Sequence, residues 1–168
     1  MALQRGGVMV MHRLCGSVLG LLALVAGPGL AQPADPLVRS INAARRAAGL
    51  PALQPLPPAL VESNSAYLRP LLTELLASRT CNHDLHRWQA FQAAAAGRFS
   101  LTPASEVMAC TANTRGWGAD RIVGQLLASP VHAGILLNRP RLQFVDCLRA
   151  DADGRAAAVC TLWAERAP

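Results

Sequence analysis

Three histidines beyond the first thirty residues could bind a metal ion or carry a proton in catalysis: His83, His86 and His132. The last lies in Ser129-Pro-Val-His-Ala-Gly-Ile-Leu136, where Ser129 fits a helix N-cap and Pro130 the first helical position. Because a helix N-terminus disfavours positive charge, we expect a lowered pKa for the His132 imidazole. A neutral imidazole suits a metal ligand or a general base. The alternative is a histidine near the cap that bonds only to backbone.

The other two histidines are close together in sequence. His83 follows Cys81-Asn82, and His86 lies three residues further on, so one helical face could bring the two rings together as chelating ligands. Each could equally be a surface residue. Glu106 lies in Ser105-Glu-Val-Met-Ala109, a short and mostly apolar segment that reads as a strand. A carboxylate in such surroundings needs a partner.

The N-terminal segment has the pattern of a secretory signal peptide. Residues 11–26 are a short basic start followed by an apolar run, and Gly29-Leu-Ala31 supplies small residues for cleavage. We therefore expect residues 1–31 to be removed and 32–168 to form one exported domain, secreted or periplasmic. A membrane anchor is the alternative, but the run is shorter than the roughly 20 residues of a spanning helix. No later stretch is apolar enough to span a membrane.

The cysteines beyond the signal peptide are even in number, which in an exported chain indicates two disulfides. They are Cys81, Cys110, Cys147 and Cys160. Asp153-Gly154 is a favoured centre for a two-residue hairpin, and that turn places Cys147 opposite Cys160 in a non-hydrogen-bonded pair. The Cα atoms of such a pair lie about 4.5 Å apart, within disulfide range. Cys81 is then left to pair with Cys110. A four-cysteine zinc site is the alternative, but Cys-x-x-Cys spacing is missing.

Hydrophobic periodicity predicts helices in the first two-thirds of the exported domain and strands later. The predicted helices cover 35–48, 58–78 with a kink or break at Pro70, 86–96 and 120–127, followed by a helix opened by Ser129. The predicted strands are 141–149, 156–163 and one within 99–110. Helices first and strands late, without regular alternation, favour an α+β fold over a doubly wound parallel sheet.

Composition narrows the possible functions. The chain has 168 residues, 52% of them hydrophobic, which allows one domain with a core. Its net charge of +6 comes from arginines spread singly, apart from Arg45-Arg46, so we expect them on a solvated surface. Nucleic acid is not an expected partner, because basic residues are neither clustered nor interleaved with aromatic ones. The sequence also lacks a His-Glu-x-x-His motif, a Gly-x-Ser-x-Gly elbow and a phosphate-binding glycine loop.

Several segments follow one another in an informative order. Ile41-Asn-Ala-Ala-Arg-Arg-Ala-Ala-Gly-Leu-Pro-Ala-Leu53 looks like the opening helix and Gly-Leu-x-x-Leu stretch of the CAP superfamily. This superfamily comprises the cysteine-rich secretory, antigen 5 and pathogenesis-related 1 proteins. The helix from Pro58 ends before a histidine, as theirs does, and 105–109 is similar to their Gly-Glu-Asn-Ile-Ala motif. Residues 129–136 resemble the Ser-Pro-Gly-His-Arg-x-x-Ile-Leu motif of bacterial members, and the hairpin with Trp163 resembles their last strands.

The resemblance implies a three-layer α-β-α sandwich with a metal-binding cleft. By position, His83, Glu106 and His132 match the family's ligands for a divalent metal, often zinc. Ser105 and Val107 replace the motif's glycine and asparagine, and Asp120 is only a weak match for the second acid of many members.

Three functions follow as hypotheses from this resemblance. The first is an exported domain whose cleft binds a divalent metal, a small apolar or cell-envelope ligand, or both. The second is a structural or interaction module, with a protein partner and a vestigial cleft. The third, a metal-dependent hydrolase in which Glu106 or a histidine activates water, is the least expected because no separate general base is visible.

Overall fold

A computed structural model describes residues 35–78 and 80–166, so the predicted signal peptide lies outside the described residues. The fold is α+β, as predicted, and is built on a four-stranded mixed sheet in the order β1-β3-β4-β2. The helices are α1 (Pro36–Ala47), α2 (Pro58–Ala77), α3 (Leu85–Ala96), α4 (Ala119–Ala128) and α5 (Pro130–Leu137). The strands are β1 (Gln54–Pro55), β2 (Leu101–Thr111), β3 (Phe144–Ala152) and β4 (Arg155–Glu165).

Both faces of the sheet are covered by helices. Along β4, alternate residues point to opposite faces. Cys160 and Leu162 join a core with α1, α4 and α5, whereas Val159 joins a core with α2 and α3. The three-layer α-β-α arrangement follows from this division. Within the described part of the chain, no helix combines the length and apolar content needed to cross a bilayer.

The predicted hairpin register and both predicted disulfides are confirmed. Asp153 and Gly154 adopt positive φ angles of 52° and 74°, as a type I′ turn requires. Cys147 lies opposite Cys160 with Cα atoms 4.1 Å apart, and the two are bonded. The second disulfide joins Cys81 to Cys110.

Pro70 does not break α2, which runs unbroken over 20 residues. Of the predicted kink or break, the break is wrong, because Pro70 and Ala66, whose carbonyl loses its helical partner, both face solvent. Water can bond that carbonyl. Leu68 and Leu71, on either side of the proline, are buried and hold the helix against the sheet.

Arg45 is fully buried, contrary to the expectation of a solvated arginine. Its Nε donates to the Pro51 carbonyl at 3.0 Å and its Nη1 to the Leu136 carbonyl at 2.6 Å. Leu136 lies in the last turn of α5, where free carbonyls and the helix dipole favour a cation. Burial lowers the pKa of Arg45. The guanidinium thus ties α1 to the end of α5.

A buried chain of hydrogen bonds links β4 to α2 and β3. Trp163 Nε1 donates to Thr161 Oγ1 at 3.0 Å, and the Thr161 hydroxyl donates to Asn64 Oδ1 at 2.8 Å. Asn64 Nδ2 then donates to Asp146 Oδ2 at 2.8 Å. Burial raises the pKa of Asp146, although the hydrogen bond from Asn64 opposes the shift.

We expect Arg45→Ala to lower the free energy of unfolding by roughly 2–4 kcal/mol, because two carbonyls lose a charged donor and a cavity forms. The neighbouring Arg46 is exposed, so Arg46→Ala should change the free energy of unfolding by no more than about 0.5 kcal/mol. Denaturant unfolding with both disulfides intact measures each value. Equal effects of the two substitutions would show that the burial of Arg45 has no energetic consequence.

Asp146→Asn should stabilise the protein increasingly as pH rises from about 3 to neutrality. A raised folded-state pKa means that the protonated carboxyl contributes stability below the ordinary aspartate value of about 3.9, and that this contribution is lost as pH rises through the folded value. The amide keeps an acceptor for Asn64 without the charge. Thermal unfolding across this pH range tests the prediction, with the exposed Asp151→Asn as control. A difference from wild type that does not grow with pH would contradict it.

Candidate functional site

The predicted site residues His83, Glu106 and His132 meet at one edge of the sheet. Glu106 lies on the edge strand β2, His83 in the loop between α2 and α3, and His132 in the first turn of α5. Because α5 packs on one face of the sheet and α2 and α3 on the other, the two histidines reach the edge strand from opposite layers. Only the folded sheet brings them together.

Glu106 is the buried centre of this cluster, with 6% of the residue exposed. Its Oε1 lies 2.7 Å from His83 Nδ1, and its Oε2 accepts a hydrogen bond from the Tyr67 hydroxyl at 2.5 Å. The partner that a carboxylate needs in apolar surroundings is therefore present on both oxygens. Since the carboxylate accepts, His83 Nδ1 carries a proton and its Nε2 points away from Glu106.

Tyr67 is held rigidly beneath the carboxylate by aromatic neighbours. Its ring stacks on Phe91 with centroids 4.2 Å apart and lies 5.9 Å from the ring of Trp88. Burial, followed by the hydrogen bond to Glu106, raises the pKa of Tyr67, so the phenol stays protonated as a donor. Tyr67 lies within the predicted helix 58–78, and no role was predicted for it from the sequence. A signal was present, because the only tyrosine of the chain lies among buried leucines and its hydroxyl needs a partner.

The two histidines of the site face each other through their Nε2 atoms, which lie 3.4 Å apart. The ring centroids are 5.7 Å apart and the planes are tilted by 59°. Burial and, second, the charge of His83 lower the pKa of His132. The direction predicted from the helix N-terminus is confirmed, but desolvation is the main cause. A neutral His132 keeps a nitrogen lone pair available.

Short-range interactions fix the segments that carry the histidines. Ser129 caps α5, with its hydroxyl 3.5 Å from the backbone nitrogen of His132, as predicted. On the other side, Asp84 caps α3 by accepting from the Arg87 amide at 3.0 Å. The Cys81–Cys110 disulfide ties the His83 loop to β2, four residues beyond Glu106. His83 is thus held between a disulfide and a helix cap.

Two other residues considered from the sequence do not join this cluster. His86 is exposed on α3 and forms no hydrogen bond, ion pair or ring contact with the described residues, so its chelation with His83 gains no support. Asp120, the weak match for a second acid, accepts a hydrogen bond from Ser40 at 2.8 Å.

The predicted three-ligand metal set is likewise not supported. Across residues 35–78 and 80–166, no three His, Cys, Asp or Glu side chains are arranged to hold a metal ion. Both oxygens of Glu106 already accept hydrogen bonds. The nitrogens that could bind a metal ion are therefore the two Nε2 atoms, which contact each other at 3.4 Å.

The distance between the two histidine nitrogens matches that between two ligands of one zinc ion. Two nitrogen ligands at 2.0–2.1 Å in tetrahedral geometry lie about 3.3–3.4 Å apart, and the two Nε2 atoms are separated by 3.4 Å. Histidines that bind metal generally donate their other ring N–H to a carboxylate or carbonyl, which fixes the tautomer. Glu106 does this for His83. The arrangement can therefore present two imidazoles to a cation, with the carboxylate supporting that of His83.

Comparison with known proteins supports the fold. No family model matches the chain, and a search of curated proteins finds no match. Among solved structures, it is similar to an outer surface protein from Borrelia burgdorferi, with a TM-score of 0.56 and 18% identity. The match covers 77% of this chain and 90% of that chain. At this identity the likeness concerns the fold alone.

We expect Tyr67→Phe to lower the free energy of unfolding by roughly 1–3 kcal/mol, because a buried carboxylate oxygen loses its donor. Tyr67→Phe retains the ring and its stacking on Phe91, whereas Tyr67→Leu loses both. Tyr67→Leu should therefore lower the free energy of unfolding further than Tyr67→Phe does. Combining Tyr67→Phe with Glu106→Gln should cost less than the sum of the single substitutions, since the first removes and the second weakens the same hydrogen bond. Chemical denaturation of the wild type, Tyr67→Phe, Glu106→Gln and the double variant provides this cycle. Strict additivity would show that the Tyr67–Glu106 hydrogen bond contributes nothing.

Proposed function

We propose that this protein is an exported interaction module that binds a divalent metal ion, zinc foremost, through His83 and His132. The observation that carries the proposal is the 3.4 Å separation of the two Nε2 atoms, together with the bond from His83 Nδ1 to Glu106. In this proposal Glu106 is not a ligand but the support of one, and Tyr67 supports Glu106 in turn. When bound, the ion would supply a positive centre with coordination positions open to a partner.

Export is supported by the redox chemistry of the chain. Two disulfides persist in an oxidising compartment such as the periplasm or the cell exterior. The solved structure with a similar fold is named an outer surface protein, which agrees with an exported location. Membership of the CAP superfamily is part of the proposal, and it is supported by the sequence motifs and by the meeting of His83, Glu106 and His132 at one point.

An interaction role is favoured over hydrolysis by the hydrogen bonding of Glu106. A general base needs a free lone pair directed at water, but both Glu106 oxygens are engaged by Tyr67 and His83. Since both histidines are metal ligands in this proposal, neither is left to activate water, and we do not propose a metal-dependent hydrolase. The small apolar or cell-envelope ligand stays a prediction.

Zinc titration by calorimetry tests the proposal on protein purified with both disulfides formed. We expect saturable binding by the wild type and none by the His83→Ala/His132→Ala double variant. Glu106→Gln should weaken binding by roughly 10–100-fold, because the supporting carboxylate is lost.

The matched control is His86→Ala, which removes an exposed imidazole three residues from His83 and should leave zinc binding unchanged. Circular dichroism confirms that each variant is folded. Absence of zinc binding by the folded, oxidised wild type, or an equal loss with His86→Ala, would reject the proposed site.

A further inference from the structure

The histidine pair supplies only half of the ligands that a tetrahedral ion takes. Structural zinc sites have four protein ligands and catalytic sites three. In the described ranges 35–78 and 80–166, no His, Cys, Asp or Glu joins His83 and His132 in such a group. The site is therefore incomplete within these residues, and its open side faces the surface, where the His83 side chain is 33% exposed.

We propose that a second copy of this chain completes the site, so that one metal ion joins two protomers through four imidazoles. This inference rests on the proposed function, because it requires the histidine pair to bind metal. A two-fold axis through the ion would bring the same pair from each copy, and a two-fold interface uses the same surface patch twice. The 3.4 Å separation is that of one edge of a ligand tetrahedron. The symmetry-related pair would form the opposite edge.

Two exposed apolar side chains lie next to the histidines in the sequence. The described residues include three exposed large hydrophobic side chains, and two of them are within two residues of a site histidine in the sequence. Val131, 70% exposed, directly precedes His132, and Leu85, 68% exposed, lies two residues after His83. The third, Val61, lies on α2. A two-fold contact at the histidines would bring Val131 and Leu85 of both copies close to the interface.

Arg87, the cation close to His83 in sequence, does not oppose this contact, although the chain as a whole is positive. Arg87, on the first turns of α3, bonds to Glu74 at 2.7 Å and lies 3.7 Å from Asp84. The cation beside the His83 loop is therefore already compensated within its own copy. Two such surfaces can approach without Arg87 adding an unpaired cation to the interface.

Sedimentation equilibrium and native mass spectrometry of the oxidised protein test the inference. With zinc we expect a dimer that contains one ion for two chains, and with a chelator a monomer. His83→Ala and His132→Ala should each abolish the dimer. Leu85→Ser combined with Val131→Ser should weaken dimerisation by at least about 10-fold, because four apolar side chains leave the interface. Both substituted positions lie in the first turn of a helix, where serine is tolerated, so these variants should fold.

Val61→Ser is the matched control, since it removes an exposed aliphatic side chain away from the site and should leave the dimer unchanged. A monomer with one zinc per chain would overturn the inference while leaving the proposed function intact. No zinc uptake would overturn both. A dimer that persists with the chelator would also contradict the inference.

Discussion

The site depends on one buried carboxylate at the edge of the sheet. Glu106 lies on the edge strand, and its cost of burial is offset only because Tyr67 and His83 each bond one of its oxygens. This arrangement orders the groups from the core outward, from the phenol through the carboxylate to an imidazole at the surface. Each group fixes the orientation of the next, so buried side chains hold the His83 imidazole in place.

The three layers and their covalent links make this arrangement possible. The Cys147–Cys160 disulfide is buried on the face covered by α1, α4 and α5, whereas Cys81–Cys110 holds the His83 loop on the opposite side of the sheet. The buried Arg45 ties α1 to the end of α5, the helix that begins beside His132. Both histidine-bearing segments are therefore anchored independently, and their meeting at β2 is a consequence of how the two helical layers flank one strand.

Much of this structure could be predicted from local signals. Helix stripes, caps and the Asp153-Gly154 turn indicated the elements and the cysteine pairing, because each depends on a short stretch of chain. The resemblance to CAP proteins indicated which histidines and acid would meet. The bond between Tyr67 and Glu106, 39 residues apart, depends on how α2 packs on β2. The burial of Arg45 likewise depends on α5. The strand β1 has two residues and no periodicity.

The most direct test of this account is nitrogen-15 NMR of the histidine side chains in mildly alkaline buffer, without and with zinc. Without zinc, we predict His83 as the tautomer protonated at Nδ1, and Glu106→Gln should disturb this preference. With zinc, the Nε2 resonances of His83 and His132 should shift together while those of His86 stay in place. A His83 protonated at Nε2 in the folded protein, or zinc shifts confined to His86, would contradict the central role of Glu106.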